Sequence, residues 1–153
     1  ARLRAALAKH ARPLRSPRDV FAYAIGTHDQ HFVPVTLGAS AIGTSGWRDY
    51  AVEAARLETV KAAERVKVDG RSTLHPVVEG IVSIVEAVAS DRRSIHTVST
   101  WDREQQLFYS IPCTLGREGV VCRHCDLLRN EDVRTKLDAC LDKLRKLVAA
   151  SAE

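Results

Sequence analysis

Helical and strand-like stretches succeed one another along this chain without internal repeats, and their hydrophobic periods constrain its fold more than any single motif. From Arg48 to Lys67 the sequence keeps a helical period, with Val52, Ala55, Thr59, Ala62 and Val66 on one stripe and Glu58 and Lys61 facing outward. Gly70 is placed to cap that helix. Pro76 suits the first turn of a second helix, Val77 to Ser90, whose expected buried stripe is Ile81, Ile84, Val85 and Val88. Three strand-like runs follow, at about 93–100, 105–113 and 119–128. Asn130 then offers an N-cap to a last helix that buries Val133, Leu137, Cys140, Leu141, Leu144 and Val148. Helices gathered against mostly antiparallel strands make an α+β fold.

Upstream of these elements the pattern is less regular. Residues 2–11 suggest a short helix stopped by Pro13, followed by a polar connector through Arg18. The run from Val20 to Gly26 reads as a buried strand, and Thr27-His28-Asp29-Gln30-His31 as a polar turn after it. Residues 38–46 are a loop by composition. At 153 residues, 45% hydrophobic and 27% charged, the whole chain has the size and make-up of one folded domain, which argues against disorder. No apolar run approaches the roughly 18 residues of a membrane span.

Charge is uneven along the chain. Residues 1–18 hold Arg2, Arg4, Lys9, Arg12, Arg15 and Arg18 and no acid, leaving 17 bases and 19 acids for the rest. A basic end on a near-neutral body can meet nucleic acid or an anionic membrane. No aromatic residue interrupts the basic stretch before Phe21, so stacking platforms for single strands are missing and a nucleic-acid-binding module is disfavoured. Two readings stay open: a surface helix whose arginines face water, or an Ala/Leu/Arg-rich organellar presequence, amphipathic through Leu3 and Leu7. They correspond to cytoplasmic and mitochondrial localisation respectively. The sequence contains no methionine and opens Ala1-Arg2-Leu3, which suggests a chain that was processed or cut from a longer one.

Four cysteines stand at Cys113, Cys122, Cys125 and Cys140. Zinc requires four ligands, and Cys122-Arg-His-Cys125 has no second Cys-x-x-Cys to complete a set. Read as part of a strand, Cys122 and Cys125 point to opposite faces, so reduced cysteines of an intracellular protein are expected, with no metal. Cys122 and His124 share a face, which leaves a weak site open.

Several segments resemble the second half of the L-lactate/malate dehydrogenase family, in the family's order and across nearly the whole chain. Val98-Ser99-Thr100 followed by Ser110-Ile111-Pro112-Cys113-Thr114-Leu115-Gly116-Arg117-Glu118-Gly119 is similar to that family's Val-Ser-Thr and Val-Pro-Cys-x-Leu-Gly-x-x-Gly. Ile25-Gly26-Thr27-His28-Asp29-Gln30, then Val33-Pro34-Val35, resembles its Gly-Glu-His-Gly-Asp turn and Val-Pro-Val sequel. Ala1-Arg2-Leu3-Arg4 resembles its Asp-Ser-Ala-Arg-x-Arg helix. The resemblance implies the family's C-terminal, substrate-binding and oligomerisation domain over residues 1–153, with the Ile-Pro-Cys segment leaning toward the lactate branch. No Gly-x-Gly-x-x-Gly is present, so the NAD-binding half is expected outside this chain.

The same resemblance implies a site. His28 matches the proton donor to a 2-oxo acid, Arg2 the arginine that grips its carboxylate, and Thr73 or Ser72 a pocket residue near the substrate. NAD would enter only with the missing dinucleotide-binding half, or homologous subunits, as partner. Around the histidine the family's Glu, Gly and Asp are here Thr27, Asp29 and Gln30, and the aspartate that orients the histidine would precede Ala1. These departures keep a second reading open: a non-catalytic homologue serving as a structural subunit of a larger assembly.

Overall fold

A computed structural model of the chain describes residues 2–10, 16–17, 20–36, 47–68 and 74–151. The chain divides into two compact units, Ala1–Tyr23 with Thr36–Ser83, and Ala24–Val35 with Ile84–Glu153.

In the first unit, helix α1 (Arg2–His10) lies against helix α2 (Asp49–Val68). Both helices bury small side chains. Ala6 and Ala8 of α1 and Ala51 and Ala55 of α2 are buried, with Leu3 and Leu7 supplying the bulk. Alanine suits such a seam because it favours the helix and lets two backbones approach closely. Lys9 forms an ion pair with Glu58 across the seam, so Glu58 faces a partner helix and not only solvent. Arg4 Nε donates to the Ala22 carbonyl at 3.2 Å, and its guanidinium stands 5.6 Å from the Tyr23 ring centroid. Gly70, Ser72, Thr73 and the loop at 38–46 lie outside the described residues, as does the side chain of Val66.

Helix α3 (Leu74–Ala89) departs from its expected packing. Ile81 and Val85 are 56% and 57% exposed, and among the helix residues whose burial is described the fully buried one is Ala87. The sequence does separate a polar stripe, Glu79, Ser83 and Glu86, from the apolar residues, so phase is legible and it is the packing against that apolar face that differs from expectation.

The second unit is organised on an antiparallel sheet in the order β3 (Ser94–Asp102), β4 (Leu107–Gly116), β5 (Gly119–Arg123). β4 runs through the centre, paired with the whole of β3 from Ser94↔Leu115 to Asp102↔Leu107. Its alternation is nearly complete: Leu107, Tyr109, Ile111, Cys113 and Leu115 are buried while Phe108 is exposed. β5 covers only the last part of its other edge, Cys113 to Gly116, with a register shift at Thr114/Leu115. The run at 119–128 is therefore not one strand. β5 stops at Arg123, and Cys125–Arg129 coil into a short 3-10 helix.

A two-stranded sheet of β1 (Tyr23–Ile25) and β2 (Val33–Val35) precedes this one in sequence. Helix α4 (Glu131–Ala150) packs on β2 and on the 3-10 helix. Asn130 caps α4 as its sequence suggests, its side-chain oxygen accepting from Val133 N at 3.0 Å. Val133, Leu137, Cys140 and Leu141 are buried, whereas Val148, expected on the same stripe, is exposed. The outcome is an α+β fold.

Candidate functional site

The turn that carries His28 is anchored on both sides. Gly26 exchanges two backbone hydrogen bonds with Ser110, each 2.8 Å, along the stretch of β4 that β5 leaves open. Its φ of +89° is one that side chains rarely adopt, and a Cβ there would stand 2.9 Å from Cys140 Sγ. Glycine is thus required twice, by conformation and by the close passage of α4. Thr27 continues the anchor, its hydroxyl 3.2 Å from Cys140 Sγ.

Beyond Thr27 the turn closes on Asp29. The Asp29 carboxylate accepts from the Thr27 hydroxyl and from His31 N–H, both at 2.7 Å. Burial opposes ionisation of Asp29, but these two hydrogen bonds and the neighbouring charges of His31 and Lys143 outweigh it and hold the carboxyl below its ordinary range. Lys143 of α4 brings its ammonium 3.1 Å from His31 Nδ1. His28 sits exposed at the crest of this turn and makes no hydrogen bond among the described residues. An accessible imidazole on a backbone fixed from both sides can pass a proton to a bound group. The spacing of His28 and His31 was visible in the sequence; the contributions of Cys140 and Lys143, from a distant helix, were not.

Arg2 belongs to the first unit and His28 to the second. Arg2 is half-buried at the start of α1, where it lines a cleft of about 140 Å³ with Ala5, Ala6 and Lys9 of α1 and Glu58, Thr59 and Ala62 of α2. The Lys9–Glu58 ion pair lies in that cleft, and the Thr59 hydroxyl donates to the Ala55 carbonyl at 2.7 Å. Arg2 itself makes no ion pair or hydrogen bond among the described residues, which leaves its planar fork available to a carboxylate. Thr73 and Ser72 lie outside the described residues.

A second polar cluster, unforeseen in the sequence, occupies the sheet of the second unit. Asp102 Oδ2 accepts from Tyr109 Oη at 2.8 Å and from the Arg123 guanidinium at 2.9 Å, while its Oδ1 accepts from Glu104 and Gln105 N–H. Burial works against the Asp102 charge, but the Gln105 N–H, Arg123 and Tyr109 more than offset it and bring its pKa to about 2. Burial, then the bond to Asp102, pushes the Tyr109 hydroxyl far up. Burial likewise raises the Cys113 thiol. The cluster fastens the β3–β4 turn to β5.

All four cysteines are free: Cys113 and Cys140 are buried, Cys122 and Cys125 exposed. The continuous strand invoked to separate Cys122 from Cys125 ends between them. His124 Nε2 is engaged with the Thr114 hydroxyl at 2.8 Å. Among the described residues no group of three or more His, Cys, Asp or Glu is arranged to hold a metal ion. A dinucleotide fares no better. Of the described glycines, Gly26 leads toward β2, Gly80 is mid-helix, and Gly116 and Gly119 flank a hairpin. None opens a helix after a strand, so these residues do not fit the pyrophosphate of NAD.

The α+β arrangement is that of the C-terminal domain of lactate and malate dehydrogenases. It matches the structure of malate dehydrogenase from Aeropyrum pernix with a TM-score of 0.78 and 27% identity, over 96% of this chain and 52% of that one. The lactate dehydrogenase of Eimeria maxima, solved with NADH and oxamate, matches with a TM-score of 0.80 and 20% identity, over 99% of this chain and 50% of that one. In sequence, the L-lactate dehydrogenase of Moorella thermoacetica is 28% identical over 135 residues, covering 78% of this chain and 42% of that protein. No protein-family model matches. The chain thus shares homology with lactate/malate dehydrogenases at the level of the fold, and it spans about half the length of these relatives or less.

Proposed function

We propose that this chain is the substrate-binding half of a lactate-dehydrogenase-like oxidoreductase, one that interconverts a 2-hydroxy acid and a 2-oxo acid once a dinucleotide-binding half is present. The observation that carries this reading is the His28 turn, anchored to β4 and α4, on a fold shared with lactate and malate dehydrogenases. NAD supplies hydride chemistry when bound, and it would be held by the other half. His28 gives the proton to the carbonyl oxygen of the 2-oxo acid and retakes it in the reverse direction. Arg2 grips the carboxylate through two parallel N–H donors.

With a dinucleotide-binding half supplied, His28→Asn is expected to abolish turnover while leaving the circular dichroism spectrum and melting temperature unchanged. Undiminished turnover would remove His28 from the chemistry. Arg2→Lys is expected to raise the KM for the 2-oxo acid by about 10-fold or more, since an ammonium cannot reproduce a bidentate fork. An unchanged KM would remove Arg2 from the substrate.

A structural subunit without activity is the second reading. It is favoured by Asp29, a charge where the family carries glycine.

A further inference from the structure

Two thiols share one face of the sheet in the second unit, on either side of a guanidinium. Cys113, late in β4, is buried and stands opposite Arg123 of β5, and strand partners share a face. Cys125 follows Arg123 by two residues, at the start of the 3-10 helix, and is exposed. It lies within electrostatic reach of Cys113, of Tyr109 and of the Arg123 guanidinium, all on that face. Cys122, also exposed, pairs with Thr114 and belongs to the other face. The surroundings of Cys113 suit an anionic sulfur. Arg123 Nε and the Thr100 hydroxyl are buried and have no hydrogen-bond partner among the described residues. Such orphaned donors are costly and rare. The reduced Cys113 thiol instead donates to the Ile111 carbonyl at 3.5 Å. Burial raises this thiol most, while the Arg123 charge and the Thr100 hydroxyl act the other way. An ionised Cys113 is thus the acceptor that both donors favour.

We propose that Cys125 and Cys113 are a redox-active dithiol, which reacts with a low-molecular-weight disulfide and closes into an intramolecular bridge. No part of this depends on the proposed catalytic role. The exposed Cys125 thiolate attacks one sulfur of the external disulfide, forming a mixed disulfide and expelling the other half as a thiolate. The Cys113 thiolate then attacks the Cys125 sulfur. The bond to the external sulfur breaks, and the second external thiolate leaves. Two protein thiols are oxidised, the external disulfide is reduced to two thiols, and the protons lost by the cysteines go to the thiolates released. Diagonal neighbours on adjacent strands stand about 7–8 Å apart, so closure needs the chain at Cys125 to move inward. That movement has a pivot: His124 N–H is held by the Pro112 carbonyl at 2.9 Å, β5 has already ended, and no side chain caps the 3-10 helix. The bridge ties that short helix to the central strand. Helix α4, which packs on it, carries Cys140 and Lys143 at the His28 turn.

The test equilibrates the purified 153-residue chain with mixtures of reduced and oxidised glutathione, blocks the remaining thiols by alkylation, and maps the peptides by mass spectrometry. The expected product is a monomer that has lost two hydrogens, with Cys113 joined to Cys125 and with Cys122 and Cys140 recovered as blocked thiols. Cys125→Ser, at an exposed position, is expected to leave Cys113 reduced and to slow its loss by about 100-fold or more. Cys122→Ser is expected to close the bridge within about twofold of the parent rate, since Cys122 stands on the other face. A glutathione adduct that persists on Cys125 without a bridge overturns the proposal. So does a bridge from Cys122 to Cys125, a bridge between two copies, or one that closes only in urea. Four thiols that stay reduced throughout would overturn it as well.

Discussion

At Gly26 three demands meet in one residue: a φ of +89°, paired hydrogen bonds to Ser110, and a Cβ position 2.9 Å from Cys140 Sγ. The first alone costs an L-residue about 1–2 kcal/mol. The second prevents the turn from relaxing, and the third sets the added methyl against a buried side chain of α4. Gly26→Ala is therefore expected to lower the unfolding free energy by about 2–4 kcal/mol, read as a drop in urea midpoint at constant m-value. A midpoint within error of the parent would mean that the turn is not clamped. The glycine and the histidine two residues later were legible as a strand end and a polar turn. The reason for the glycine was not, because Cys140 lies 113 positions beyond Thr27 and its approach depends on how α4 packs. Asp29 was legible only as a departure from a family pattern. That it ties Thr27 to His31 is a matter of local hydrogen-bond geometry, which residue types alone do not specify.

Among the elements, α4 and β4 were readable because each has one wet face and one dry one, so period and phase both show in the sequence. β5 was overextended because the residues after Arg123 continue a strand-like composition, while the backbone there turns into a 3-10 helix. The Asp102–Tyr109–Arg123 cluster was invisible for a different reason: register, not composition, decides which side chains meet across a sheet. Its energetics can be reached through pH. Asp102 has a pKa of about 2 in the fold, against roughly 3.9 for an unfolded chain. Its contribution is present in full above the unfolded value and is lost as pH falls from about 4 toward 2, on the order of 2 kcal/mol in all. Asp102→Asn is expected to destabilise the protein near neutrality and to flatten the acid limb of its stability profile between pH 4 and 2, measured by urea titration at each pH. An acid limb of unchanged slope would show that other carboxylates carry it.

For the whole molecule, the match to relatives is close to complete in one direction and near half in the other. Under the proposed function, what the chain does on its own differs from what it does with a dinucleotide-binding half. The pyrophosphate of a dinucleotide needs backbone N–H groups at a helix start behind a glycine-rich turn. The 153 residues contain no Gly-x-Gly-x-x-Gly, and none of the described glycines stands between a strand and a helix. The chain alone is accordingly expected to leave the fluorescence of added NADH unchanged in intensity and wavelength. With the dinucleotide-binding half added, the emission should shift as nicotinamide leaves water. Micromolar NADH binding by the isolated chain would contradict this division of labour outright. The mixed sample also separates the two functional readings: NADH bound together with a 2-oxo acid and turned over requires the His28 turn to be competent. NADH bound without turnover, and insensitive to His28→Asn, leaves the chain as a structural subunit whose Asp29 has replaced a working turn with a fixed one.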